Sequence, residues 1–109
     1  MVKEFDDAKC TTSLVGFDKL DEEEIELVKK ELASHMQKLE NRASNASLKI
    51  RLKMHKHEKS YIHELEADLF IPGIKNFSSK ISDKNLYKAL ASIMSKLISE
   101  VDHYIRKEK

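Results

Sequence analysis

Apolar residues at Leu48, Ile50, Leu52 and Met54 alternate with Lys49, Arg51, Lys53 and His55, a period of two that predicts a half-buried antiparallel strand. The alternation resumes from Tyr61 to Ile71, where His63, Leu65, Ala67 and Leu69 oppose Glu64, Glu66 and Asp68. A basic turn over Lys56 to Ser60 joins the two runs into a hairpin. Pro72-Gly73 fits the central pair of a type II turn, after which Lys75 to Ile81 returns as a further strand. Near the start of the chain the short run Thr11 to Val15, closed by Gly16, reads as a first strand.

Two stretches instead repeat at helical spacing. Ile25, Val28, Leu32, Met36 and Leu39 form one apolar stripe that ends near Asn41. Its start is marked by an Asp21 cap, a capping box completed by Glu24, a hydrophobic staple of Leu20 and Ile25, and acidic residues suited to the positive end of the helix dipole. Glu31, His35, Lys38 and Arg42 fall on another stripe of this helix. The second helix, capped by Ser82 or Asp83, carries Leu86, Leu90, Ile93, Leu97, Val101 and Tyr104 on one face through about residue 106.

The predicted order is β-α-β-β-β-α. It implies an α+β domain with two helices packed on one face of a four-stranded sheet, and with no internal repeat or low-complexity linker the whole of 1–109 reads as one domain. The composition supports this: of 109 residues, 40% are apolar and 36% charged, with two glycines and one proline, which excludes collagen-like and low-complexity classes. No apolar run approaches the roughly eighteen residues that span a bilayer. The acidic N-terminus lacks the features of a signal or transit peptide. A cytoplasmic protein without a membrane partner is therefore expected, and the single Cys10 fits that compartment as a small buried hydrophobe.

A net charge of +1 gives no reason to invoke nucleic acid, but the charges are unevenly placed. Residues 1–27 hold three basic and nine acidic side chains, leaving seventeen basic and ten acidic for the remainder. Between Lys38 and His63 seven Lys or Arg face only Glu40 and Glu58. Such a basic region is either a solvated surface or one that meets phosphates. On the first helix His35, Lys38 and Arg42 share a stripe. On the second, Lys88, Ser92, Ser95, Ser99, His103 and Arg106 run along one side, with Lys84 at the start, Lys96 flanking and Lys107 at the end.

Enzyme chemistry finds no support. The phosphate-loop, dinucleotide and nucleophile-elbow motifs are all missing. His55-x-His57 lacks further ligands to complete a zinc site, so neither metal nor cofactor is expected. The Glu64, Glu66, Asp68 ladder is better explained by cross-strand ion pairs with Lys49, Arg51 and Lys53 than by a cation site.

Asn85-Leu86-Tyr87-Lys88-Ala89-Leu90, followed by Lys96-Leu97, resembles the opening of the last helix in ribosome hibernation-promoting factors and ribosome-associated inhibitors. Met36 to Glu40 resembles the end of that family's first helix, and Leu48 to Lys56 its basic second strand, so the resemblance covers roughly residues 20–107. The family has the β-α-β-β-β-α order. The resemblance implies a non-enzymatic inhibitor of translation that binds small-subunit rRNA in the decoding region under stress. It further implies a short form without the C-terminal dimerisation domain, monomeric off the ribosome. Lys38, Lys53, Lys56 and Lys96 fall on basic positions of the family; His35 and Ser99 stand where it usually has Lys and Arg, and Asn85 replaces its usual Asp. Together with the helix cations, the expected RNA-binding set is His35, Lys38, Arg42, Lys53, Lys56, Lys84, Lys88, Lys96, Arg106 and Lys107.

Two other readings compete. An α-β-β-β-α core is also that of double-stranded RNA-binding domains, which use shape and phosphate contacts, though the Lys56 to Ser60 turn lacks their G-P-x-H signature. A protein-interaction module would use the charged faces for solubility alone.

Overall fold

In a computed structural model, residues 2–7, 10–43 and 45–107 are described, with side chains described for 10–43 and 45–106. The elements are β1 (Val2–Asp7), β2 (Cys10–Val15), a 3-10 turn (Phe17–Lys19), α1 (Glu22–Glu40), β3 (Ser47–His57), β4 (Ser60–Phe70), β5 (Asn76–Asp83) and α2 (Leu86–Lys107). The expected β-α-β-β-β-α order is present from β2 onward. To its four strands β1 adds a fifth, antiparallel to β2, so the sheet runs β1-β2-β3-β4-β5. Val-Lys-Glu-Phe-Asp-Asp has no clear apolar alternation, which is why periodicity gives no sign of this edge strand.

β2 and β3 pair in parallel across α1, whereas β3-β4 and β4-β5 are antiparallel. Consequently β2, β3 and β5 point the same way. One sheet face is apolar: Leu14 from β2, Leu48, Ile50 and Leu52 from β3, Leu65, Ala67 and Leu69 from β4 and Phe77 from β5 are all buried there. Both helical stripes close this face, with Ile25, Val28, Leu32, Met36 and Leu39 of α1 and Leu86, Leu90, Ile93, Leu97 and Val101 of α2 buried as the spacing predicts. Each helix runs back against the strand before it, so the two lie parallel. Glu24 and Asp21 at the start of α1 act electrostatically on Tyr87 at the start of α2, and Arg42 just past α1 bonds Asp102 late in α2.

Local chemistry sets the boundaries. The Asp21 side chain accepts from the Glu24 N–H at 2.8 Å and Glu24 Oε1 accepts from the Asp21 N–H at 3.2 Å, the reciprocal capping box expected from the sequence. Gly16 has φ +82°, and a Cβ there would collide with the Leu52 carbonyl oxygen, so both conformation and space demand glycine. Gly73 at φ +78° and the Ile74 N–H donating to the Ile71 carbonyl at 3.1 Å form the turn predicted at Pro72-Gly73.

Two boundaries differ from the sequence reading. The hairpin turn is only Glu58-Lys59, because pairing continues to His57 opposite Ser60. The tip of the hairpin projects beyond the helical cover, both its faces meet water, and the apolar alternation lapses while the ladder continues. The molecule is elongated, 49 Å along its long axis against 24 and 20 Å. The α2 cap is neither Ser82 nor Asp83: β5 extends through Asp83, and Asn85 Oδ1 accepts from the Lys88 N–H at 3.0 Å. Asp83 instead accepts from the Asn85 N–H at 2.9 Å, one step outside the cap.

Leu90, fully buried at the meeting of α2 and the sheet, tests this packing. Truncation to alanine is expected to lower unfolding free energy by about 2–5 kcal/mol in chemical denaturation. A loss below about 0.5 kcal/mol would place the helix on a different face.

Candidate nucleic-acid interface

The sheet face away from the helices bears an ion-pair ladder. Lys49 faces Asp68, Arg51 faces Glu66 and Lys53 faces Glu64 in the β3-β4 register, the opposition expected from the sequence. The pairs that form are partly diagonal. Arg51 Nη1 lies 3.4 Å from Glu66 and 3.3 Å from Asp68, while Glu64 is taken by His55 at 3.2 Å and by Lys80 from β5 at 3.4 Å. Acidic β4 is thus flanked by cations from both neighbours. Lys53, expected among the RNA-binding residues, is exposed on this face, opposite the helices, and has no ion pair among the described residues.

The helix layer is arranged differently. On α1 the stripe of Glu31, His35, Lys38 and Arg42 faces α2 along the seam between the helices. His35 is largely buried and its Nε2 lies 3.2 Å from Glu31 Oε1, so its placement serves an internal pair. The Arg42 guanidinium donates to Asp102 at 2.5 Å and to the Lys38 carbonyl oxygen at 2.6 Å, tying the C-terminal ends of the helices together. Lys38 is exposed beside this tie.

On α2, Lys88, Ser95, Ser99 and Arg106 are exposed and Ser92 half-buried along the ridge farthest from the sheet. With a rise of about 1.5 Å per residue, Lys88 and Arg106 stand about 27 Å apart along the axis. Lys96 lies off this ridge toward β5, while Lys84 is exposed in the link between β5 and α2. Lys107 ends α2, but its side chain lies outside the described residues. Lys56, near the hairpin tip, is exposed opposite Tyr61 on the helix-facing side of the ribbon.

Lys38, Lys88, Lys96 and Arg106 thus lie on the helix layer, with Lys84 in the link before α2 and Lys56 near the hairpin tip, and none of these six has an ion pair to a carboxylate among the described residues. His35 and Arg42 are engaged internally, and Lys53 belongs to the opposite face. Missed by sequence reasoning was Lys75, exposed just before β5, whose ammonium lies over two aromatic rings. One ring, Phe77, lies two residues on, but the other, Tyr104, comes from the far end of α2 and no local pattern brings it to Lys75.

Chemically, the helix layer presents exposed ammonium and guanidinium groups with small hydroxyls between them. No group of three or more His, Cys, Asp or Glu side chains among the described residues is placed to hold a metal. None of the described helices is long and apolar enough to cross a membrane. Burial raises the Tyr87 phenol above its ordinary pKa, and the carboxylates of Glu24 and Asp21 add to the shift, placing negative potential at the N-terminal end of the seam.

Desolvation alone would raise the Glu64 carboxyl, but hydrogen bonds and charges from Lys80 and His55 outweigh it and hold the group below its ordinary value of 4.5. A depressed carboxylate contributes stability that is present above its unfolded pKa and is lost as pH falls through the folded one. The advantage of wild type over Glu64→Gln in thermal melts should therefore shrink between about pH 5 and pH 3. A pH-independent difference would show that the cluster is uncoupled from folding.

No family model matches this chain, and no curated protein matches it by sequence. Among solved structures it is similar to the crystal structure of the Thermus thermophilus Protein Y N-terminal domain, with a TM-score of 0.56 and 20% identity over 84% of this chain and 93% of that one. The two share a fold.

Proposed function

We propose that this protein is a ribosome-binding inhibitor of translation that occupies the decoding region of the small subunit through rRNA phosphates. The observation that carries the reading is the division of charge between the two layers. Carboxylates on β4 pair with Arg51, His55 and Lys80 and stand opposite Lys49 and Lys53 in the ladder, so each of these cations has an acidic neighbour, whereas Lys38, Lys88, Lys96 and Arg106 on the helix layer and Lys84 in the link before α2 have no ion pair among the described residues. Leaving desolvated amines unpaired gains nothing for a fold, but solvated unpaired amines are what an external polyanion can recruit. The last-helix resemblance supports the source of that polyanion. Its signature begins at Asn85, where Asn does the capping work of the usual Asp, and the fold it implies is the one shared with the Protein Y N-terminal domain.

Inhibition of this kind is occupancy, and it requires a shaped, charged surface rather than reacting groups. Lys88 and Arg106 would track one run of backbone along the α2 ridge, Lys38 would meet phosphates across the seam, and Lys56 would reach farther into the channel from the hairpin. Serines between the cations let the backbone approach closely. The Arg42 to Asp102 tie fixes the spacing of the two rows rather than touching RNA. Such a protein acts in the cytoplasm and needs no cofactor.

Binding should weaken steeply with salt, because each neutralised phosphate contributes up to about one unit to the slope of log affinity against log salt. The double change Lys88→Glu and Lys96→Glu should flatten that slope by roughly one to two, weaken small-subunit binding and relieve inhibition of cell-free translation in proportion. Both side chains are exposed, so the melting temperature should hardly move. A folded double variant that binds and inhibits like wild type would refute the assignment, and capture by plain RNA duplex as tightly as by small subunits would favour a double-stranded RNA-binding module. The free protein is expected to be monomeric in light scattering at micromolar concentration, since its apolar sheet face is already covered and the large exposed apolar residues among those described, Leu27, Tyr61 and Phe70, are scattered.

A further inference from the structure

Lys96, Ser99, Glu100, His103 and Tyr104 recur at positions i, i+3, i+4, i+7 and i+8 of α2, on the side that faces the β5 edge of the sheet. Together with Lys75 and Phe77 they line an open cleft of about 490 Å³, within the roughly 300–1,000 Å³ range of small-ligand sites. Its floor is aromatic: Phe77 is buried, Tyr104 is half-buried, and the rings meet edge to face with centroids 6.0 Å apart at 85°. The Lys75 ammonium stands 5.2 Å from the Phe77 centroid and 5.6 Å from that of Tyr104. Lys75, Lys96, His103 and Glu100 converge here without an ion pair to any described residue.

The combination restricts the ligand. A bare phosphate would use the lysines but be opposed by the Glu100 carboxylate and ignore the rings. A purely apolar group would leave three basic side chains idle. A nucleotide satisfies all of them at once: a flat π-face for Tyr104, an anionic phosphate for the lysines, and hydroxyl or amino donors for Glu100.

We infer that this cleft holds one unstacked nucleotide of single-stranded RNA. The base takes the place over Tyr104 now held by the Lys75 ammonium, and the flexible, exposed Lys75 swings to join Lys96 on the phosphate. His103 adds a ring N–H donor, and Glu100 accepts from a ribose hydroxyl or base amino group. The α2 ridge binds backbone only; the cleft adds a stacking site beside it. The source of the RNA, an rRNA strand of the small subunit, rests on the function proposed above, but the cleft's chemistry does not.

The test is an NMR titration of the full chain with the 5′-phosphorylated dinucleotide pUpU, with inorganic phosphate and an acidic peptide titrated separately. The expected result is shifts of the Tyr104 ring and of amides at 75–77 and 99–104 with pUpU, and much weaker ones with phosphate. Lys75→Glu should weaken pUpU binding about tenfold or more, Tyr104→Leu by a similar factor, and Tyr104→Phe, which keeps the stacking face, should bind like wild type. Lys75 is exposed, so its variant keeps the fold even if Tyr104→Leu does not. Equal response to phosphate reduces the cleft to an anion site, equal response to the peptide makes it a protein-docking site, and silence at millimolar pUpU removes it; each overturns the inference. Sedimentation of the same wild-type protein with small subunits separates the two proposals. Ribosome binding without pUpU binding defeats the cleft alone, and the reverse defeats the ribosomal reading alone.

Discussion

One face of the sheet is apolar and must be covered, and the rest of the architecture follows from that requirement. Leu48, Ile50 and Leu52 on β3 and Leu65, Ala67 and Leu69 on β4 all point to the same side, because an alternation of period two puts every second residue there. Burying each of the leucine and isoleucine side chains among them contributes on the order of 1.5–3 kcal/mol, more than a typical surface ion pair. Two amphipathic helices supply the cover. Since each follows a strand pointing the same way, they lie parallel, with both N-termini at one end of the molecule.

That parallel arrangement decides where the charges go. The capping acids of α1, required at its N-terminus by the dipole and the capping box, stand beside the start of α2, where they act on Tyr87. The basic last turn of α1 correspondingly meets the last turns of α2. There Arg42 binds Asp102, residues sixty apart in sequence. The strong lopsidedness of charge along the chain is therefore partly structural in origin: the acidity of the first helix is capping chemistry, and one of the arginines counted as available for RNA is a fastening between helices.

The regular part of the fold is legible in the sequence because its signals are local. Asp21 and Glu24 lie three residues apart and bond each other; the β3 and β4 alternations need only neighbouring residues to be seen. Where the reading fails, two local signals compete or a signal is missing. Asp83 and Asn85 are both good acceptors, and only the ladder pairing His63 with Asp83 shows that the strand has not yet ended. β1 has four charged residues in six and pairs through its backbone, which no side-chain pattern reports. The candidate interface was legible as a helical stripe on α2, but the partners that remove His35 and Arg42 from it, and the sheet face on which Lys53 falls, depend on which surfaces tertiary packing brings together.

A basic surface is measured by the cations that packing leaves unpaired, not by the number in the sequence. Counting cations along β3 overstates its capacity for phosphates, since Arg51 and His55 are held by β4 carboxylates, and Lys49 and Lys53, though without an ion pair among the described residues, stand opposite Asp68 and Glu64. Any RNA approaching that face would meet the carboxylates of β4 along with the amines. On α2 the opposite holds: Lys88, Ser95, Ser99 and Arg106 are exposed in a row, and Asp102 on the same helix is bonded to Arg42 of the neighbouring one. Ser99, where the family the helix resembles usually has Arg, then leaves the charge row interrupted by a hydroxyl near its centre. On the proposed reading, a polyanion along this row would gain less long-range attraction from that position but could lie closer to the helix there, a trade of charge for approach.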